Sequence, residues 1–304
     1  MKTLLPLRGI ITVLNTPFTE DGGIDAEGLT KHIEYALHAG VAGFLVPAMA
    51  SEVAKLTAVE RTLLVKTTVE AARGQAVVIG GASAEDPAAR RRLASQCLEL
   101  GCEGVLASIP YQNETEYVAA VRELAALQPP FLMLQDWAPD SFGVPVALVT
   151  RLFEEVPCFR CLKVEVVPAG VKYSQVLDAT QGRLHVSGGW AVMQMVEALD
   201  RGVHAFMPTG LHYTYVEIFR RYHAGDRAGA QALHAEVLPV LAFSNQHLDM
   251  SIHFFKRLLH SQGVYATARV REPILPFDPV HEHLTAELIA KATSLEQGLG
   301  WRAS

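Results

Sequence analysis

Eight short apolar runs recur along this chain: GIITVLNTPF (9–18), GFLVPA (43–48), AVVIGGAS (76–83), GVLASIP (104–110), FLMLQD (131–136), RCLKVE (160–165), LHVSGG (184–189) and AFMPTG (205–210). They read as strands, and they are apolar throughout instead of alternating with polar residues. Strands of that kind are covered on both faces, as in a parallel sheet wrapped by helices. The segments between them supply those helices. In AEGLTKHIEYALHAG, Leu29, Ile33, Ala36 and Leu37 fall on one face and Gly40 ends the pattern. RRRLASQCLELGCEG closes on Gly101 in the same way, and VAAVRELAAL, VALVTRLFEEV, AVMQMVEALDRG and YVEIFRRYHAGD continue the series. Eight β–α units before residue 226 predict a (β/α)8 TIM barrel. An open doubly wound sheet is the alternative, but no GxGxxG follows the first run.

Beyond residue 225 the strand pattern stops. RAGAQALHAEVLPVLAFSNQ, MSIHFFKRLLHSQG and EHLTAELIAKATSLEQGLG each read as a helix. The expected organisation is a catalytic barrel over 1–225 and a C-terminal helical subdomain over 226–304.

Charge narrows the partners. A net charge of −6 gives no basic footprint for nucleic acid or an anionic membrane surface. No run approaches the ~18 apolar residues of a membrane span. The first apolar stretch is broken by Pro6 and Arg8 and leads to TPFTEDGG instead of a small-residue cleavage site. The expectation is a cytoplasmic protein. Four cysteines, Cys97, Cys102, Cys158 and Cys161, are then expected to be reduced. The pair Cys158 and Cys161 has CxxC spacing but enters a strand, where it lacks the helix N-terminus that activates a redox dithiol. No second pair exists to complete a zinc site, and no metal or other cofactor is expected.

The sixth run carries the chemistry. Lys163 and Glu165 interrupt an otherwise apolar strand, two residues apart and so on one face. They lie near the strand's C-terminal end, where barrels of this type hold their active sites. Apolar walls would favour a neutral amine, and a neutral amine attacks a carbonyl to form a Schiff base. The nearby carboxylate works the other way, favouring the ammonium. A structural salt bridge accounts for the pair equally well at this point.

Other residues extend the pattern. GIITVLNTPFTEDGGIDAEGL resembles the opening of the dihydrodipicolinate synthase / N-acetylneuraminate lyase family, class I aldolases with a (β/α)8 barrel and a helical C-terminal part. The likeness continues through SEVAKLTAVER (51–61), IPYQN (109–113), LKVE (162–165), SGGW (187–190) and GDRAGAQALHAEVLPVL, to Phe255-Lys256. By this resemblance Lys163 is the Schiff-base lysine. The family's oligomers imply a homo-oligomer, a dimer or tetramer, with a loop residue near Tyr111 reaching a neighbouring site.

The departures from the family pattern are specific. Its Thr-Thr-Gly-Glu loop becomes Met49-Ala50-Ser51-Glu52, leaving Ser51 as the side-chain hydroxyl for a substrate carboxylate. Its Tyr-Asn-x-Pro segment becomes Gln135-Asp136-Trp137-Ala138-Pro139, and the second tyrosine of its Pro-Tyr-Tyr falls on Gln112, though Tyr111 remains. The arginine that holds the second substrate's carboxylate in the synthases falls near Asp140. An amide cannot replace a phenol as an acid or base, so either proton transfer has moved elsewhere, with Glu165 the available replacement, or activity has been lost. Lysine-x-glutamate with Gln-Asp resembles the branch containing 2-keto-3-deoxy sugar acid dehydratases. That resemblance implies a Schiff-base lyase acting on a 2-keto acid such as pyruvate or a 3-deoxy sugar acid, by dehydration of the sugar acid or by aldol cleavage that releases pyruvate. Lys163 and Glu165 are catalytic in this reading, and Ser51, Gln135, Tyr111, Gly189 and Phe206 bind substrate. The alternatives are 4-hydroxy-tetrahydrodipicolinate synthesis and a non-catalytic keto-acid-binding protein.

Overall fold

The computed structural model describes residues 2–302. Its eight strands are β1 (Gly9–Val13), β2 (Gly43–Val46), β3 (Val77–Gly81), β4 (Gly104–Ser108), β5 (Phe131–Ala138), β6 (Phe159–Val166), β7 (His185–Gly188) and β8 (Ala205–Phe206). They close into a barrel in chain order, the (β/α)8 architecture expected from the runs. Between them come α1 (Ala26–Ala39), α2 (Ala58–Ala72), α3 (Pro87–Glu99), α4 (Glu114–Ala125), α5 (Val146–Glu155), α6 (Ala169–Ala179), α7 (Met195–Asp200) and α8 (His212–His223). Three more helices follow: α9 (Arg227–Ser244), α10 (Leu248–Ser261) and α11 (Pro279–Gly298). Among the described residues, no helix is long and apolar enough to cross a membrane.

Local chemistry fixes the boundaries. Asp25 caps α1 by accepting from the Gly28 amide at 2.8 Å, and Gly40 ends the helix in the left-handed region at φ 92°. The periodicity does not single out α2 or α6. In α2 the apolar residues do not share one stripe: Leu64 and Val65 are buried while Val59 and Leu63 are exposed. What marks α2 is its start, a capping box in which Thr57 and Glu60 satisfy each other's backbone amides.

By contact density the chain forms two compact units. One comprises the chain up to Gly9 with Val77–Met207; the other comprises Ile10–Ala76 with the chain from Pro208 on. In the first, β5, β6 and β7 are in parallel register, with Gln135 beside Lys163, Trp137 beside Glu165, and Lys163 beside Ser187. In the second, β1 pairs with β2 through Ile11–Gly43, Thr12–Phe44 and Val13–Leu45, and α1, α2 and α8 to α11 belong with them.

Candidate active site

In the first unit, alternation along β5 and β6 sorts the polar side chains. Asp136 ion-pairs with Lys172 of α6 at 2.9 Å, both side chains essentially inaccessible, so its face of β5 is the helix side. Gln135 and Trp137 therefore face the barrel interior and its mouth, as do their register neighbours Lys163 and Glu165. Lys163 Nζ lies 3.3 Å from Glu165 Oε2, and the Gln135 amide Nε2 donates to the same oxygen. The lysine is 5 % exposed, the glutamate 9 % and the glutamine 7 %. Charges this buried persist only when paired and hydrogen-bonded, and this pair is both.

Gly189 makes room for the pair. A Cβ there would fall 1.9 Å from Glu165 Oε1 and 2.5 Å from Lys163 Cε. Its φ of −82° is open to any residue. The glycine is therefore required by the close approach of the carboxylate and not by backbone conformation. Phe206 is fully buried in β8, in register with Gly188. Tyr111 stands after β4, more than a third exposed, its ring edge-on to Tyr117 with centroids 5.7 Å apart. The structure thus brings Lys163, Glu165, Gln135 and Gly189 into one cluster and leaves Tyr111 in the loop beyond it.

Lys172 is a residue that sequence reasoning missed. Besides Asp136, its ammonium holds the carbonyls of Phe142, at 2.7 Å, and Val144, while Asp136 Oδ1 accepts from the Val144 amide at 3.0 Å. One buried ion pair so pins the loop between β5 and α5. The unusual acid within the apolar FLMLQD run was the available signal.

In the second unit, Ser51 closes a 3₁₀ turn after β2. Its hydroxyl donates to the Leu14 carbonyl and accepts from the Ala48 amide at 3.0 Å. Thr16 Oγ1 donates to the Ser51 carbonyl at 2.6 Å, and Asn15 Nδ2 to the Ala50 carbonyl at 2.8 Å. The Ser51 side chain is fully buried and its proton is committed to the loop itself. Next to it, Glu52 sits at φ 56° and pairs with Lys256 of α10 at 2.7 Å, both side chains at zero exposure. The Arg271 amide donates to the other Glu52 oxygen at 2.8 Å. Burial pulls the Lys256 ammonium down to about 8, against the opposing pull of Glu52. Lys256→Met should lower the unfolding free energy by about 3 kcal/mol in urea titrations, the lower end of the cost of breaking a buried pair, because it leaves the buried carboxylate with only the Arg271 amide and the longer contact to Lys55 at 3.4 Å. Adding Glu52→Gln should recover a large part of that loss; a single variant of near-wild-type stability would refute the assignment.

The cysteines are free, and burial pushes the Cys158 and Cys161 thiols up, which opposes the thiolate that redox or metal chemistry needs.

Residues 6–292 match the family described as the dihydrodipicolinate synthetase family. The chain belongs to that family. Its members form a class of aldolase-type lyases, and the relatives of this chain carry two kinds of name. An L-2-keto-3-deoxyarabonate dehydratase from Azospirillum brasilense is 26 % identical, covering 95 % of this chain and 94 % of its own. A 4-hydroxy-tetrahydrodipicolinate synthase from Symbiobacterium thermophilum is 25 % identical, covering 93 % and 97 %. Among solved structures, the dihydrodipicolinate synthase of Rhodopseudomonas palustris superposes with a TM-score of 0.87 at 21 % identity, covering 96 % of this chain and all of its own. That likeness establishes the barrel for this dihydrodipicolinate synthetase family chain; its reaction has to be argued from its own side chains.

Proposed function

We propose that this chain is a Schiff-base lyase that removes water from a 2-keto-3-deoxy sugar acid. The observation that carries the reading is the buried cluster of Lys163, Glu165 and Gln135 at the C-terminal end of β6, with amine and carboxylate 3.3 Å apart.

The reaction follows from what these groups can do. Lys163 passes its ammonium proton to Glu165, 3.3 Å away, and the neutral amine attacks the C2 carbonyl; the carbinolamine then loses its hydroxyl as water with that proton, giving an iminium and returning Glu165 to the carboxylate. The iminium withdraws electrons from C3, and Glu165 removes a C3 proton to form the enamine. The enamine electrons then expel the C4 hydroxyl, which leaves as water with the proton that Glu165 had taken. Hydrolysis of the conjugated iminium restores the lysine. Gln135 orients the carboxylate by its amide and takes no part in proton transfer.

Two substitutions favour this reading over dihydrodipicolinate synthesis. By the family resemblance Gln135 falls where the family's phenol would relay protons, and the arginine with which the synthases hold a second carboxylate falls near Asp140. The same base could instead take a proton from the C4 hydroxyl and release pyruvate, so the products tell the two outcomes apart.

Borohydride reduction with pyruvate followed by peptide mass mapping tests the first step. A reduced adduct on Lys163 is expected. If pyruvate and longer 2-keto acids all leave Lys163 unmodified, the lysine and glutamate are a structural pair and the reading fails.

A further inference from the structure

The mouth of the first unit carries an unusual surface. Tyr111, Trp137, Phe142, Val167, Val171 and Trp190 are all more than a third exposed, and each follows or ends one of the strands β4 to β7. Two of them adjoin the Lys163–Glu165 cluster. Trp137 is 42 % exposed, shares a face with Gln135 and lies in register with Glu165. Trp190, 37 % exposed, directly follows Gly189, whose Cα is packed against the glutamate.

The charges of this region are one-sided. The loops after β3 to β7 (82–86, 109–113, 139–145, 167–168 and 189–194) contain no lysine or arginine but hold Glu85, Asp86 and Asp140. Two cations sit at their base: Lys172, fully buried and bound to Asp136 and two carbonyls of the β5–α5 loop, and Arg90 of α3, 4 % exposed and within electrostatic reach of Asp86. Nothing in these loops could offer a charge-assisted bond to a second anionic group, and three carboxylates would repel one.

We infer that Trp137, with Trp190 beside Gly189, forms the subsite for the part of the substrate beyond C4, and that this part is uncharged. The substrate is a keto monocarboxylic acid ending in a neutral hydroxyl group, and its carbon–hydrogen face lies on the Trp137 indole. A keto acid ending in a second carboxylate, or in a phosphate, is rejected. An indole suits a polyhydroxy chain because such a chain presents an apolar face and polar edges, and the ring covers it with few rotors to freeze.

This inference rests on the Schiff-base reading of Lys163, and its test separates the two. Pyruvate trapping by borohydride is measured in competition with two six-carbon 2-keto-3-deoxy acids. They have the same configuration at each shared centre, and one ends in a hydroxymethyl group and the other in a carboxylate. The neutral-ended acid should suppress trapping at a concentration at least about 10-fold lower. Trp137→Ala should shrink that advantage to within about 3-fold, and Trp137→Phe should retain most of it. Asp140→Arg should improve competition by the dicarboxylate at least about 3-fold. Competition requires no turnover, so a slow dehydration step does not obscure the result. Equal or better competition by the dicarboxylate in the wild type overturns the inference, as does an advantage that survives Trp137→Ala. If Trp137→Ala instead lowers the solution mass with the preference intact, the indole packs on a second copy of the chain and the inference is wrong. Absence of any pyruvate adduct would instead remove the underlying reading.

Discussion

Glu165→Gln should leave the lysine competent to form an imine and abolish the step after it. The replacement has the same shape, so it still fits over Gly189, and its amide oxygen can still accept from the Gln135 amide that now donates to Glu165 Oε2. What it cannot do is take a proton from C3 or deliver one to a leaving hydroxyl. General acid–base groups contribute ~10²–10⁴-fold, and turnover of the cognate acid should fall by about that factor. Trapping with pyruvate should continue, since Lys163 keeps its place on β6. The two readouts divide the possibilities. Turnover within a few-fold of wild type would mean that the proton moves through another group. Loss of the adduct would mean that the carboxylate's role is to hold the amine in position, 3.3 Å away. Loss of turnover alone is the pattern expected of an acid/base.

The barrel was legible because its signal is repeated. Each of the eight apolar runs falls on a strand, though β5 and β6 extend beyond theirs, and an error in any one would not have changed the count. Helices without that redundancy were harder to see. The helix α2 has no single apolar stripe, and AVMQMVEALDRG, read as one helix, is a 3₁₀ turn over Trp190–Gln194 before α7 begins. Within the site, Lys163 and Glu165 could be paired from their spacing because a strand's two-residue period is rigid. Which face they occupied was not legible, since that depends on what Asp136 meets on the helix side, and its partner Lys172 lies 36 residues along the chain (172 − 136). Gly189 illustrates the same limit. A glycine at a strand end suggests a turn, whereas the structure shows it yielding space to a carboxylate from another strand. Ser51 shows it in reverse: a hydroxyl in a mouth loop suggested a substrate contact, but its proton goes to the Leu14 carbonyl. Contacts between residues distant in sequence decide all three.

Acid should destabilise this protein well above the pH at which carboxylates titrate, because four histidines are buried in neutral form. In the second unit, Thr12 Oγ1 lies 3.3 Å from His212 Nδ1, the two Nε2 atoms of His212 and His32 are 2.9 Å apart, and His32 Nδ1 lies 2.7 Å from the Tyr265 hydroxyl. That hydroxyl donates to the Asn15 carbonyl at 3.0 Å. One assignment satisfies every group: Thr12 donates to His212, His212 to His32, His32 to Tyr265, and Tyr265 to Asn15. It needs both rings neutral, because a second proton between the facing Nε2 atoms would set donor against donor. Burial holds His32 down to about 3, and burial together with His32 holds His212 well below its usual value. In the first unit, His185 and His204 stack at 5.2 Å; burial brings them to about 3 and about 4, and His185 Nδ1 has no partner that could accept a proton. The unfolded chain protonates each ring near the ordinary value of ~6.5. The folded chain does not until the pH is far lower. The contribution of these rings is therefore complete only above about pH 7 and falls as pH drops through 6.5 toward 4, by up to ~1.4 kcal/mol per unit for each ring. Four rings give a loss on the order of 4 kcal/mol between pH 6.5 and 5.5, a large share of the ~5–15 kcal/mol that domains possess. Urea midpoints followed from pH 8 to 5 should be nearly flat above pH 7 and drop steeply below it, with roughly three to four protons taken up by these rings on unfolding at pH 5.5. An uptake below one proton there would mean that these rings are already charged in the folded state, and the hydrogen-bonded chain from Thr12 to Asn15 would have to run differently.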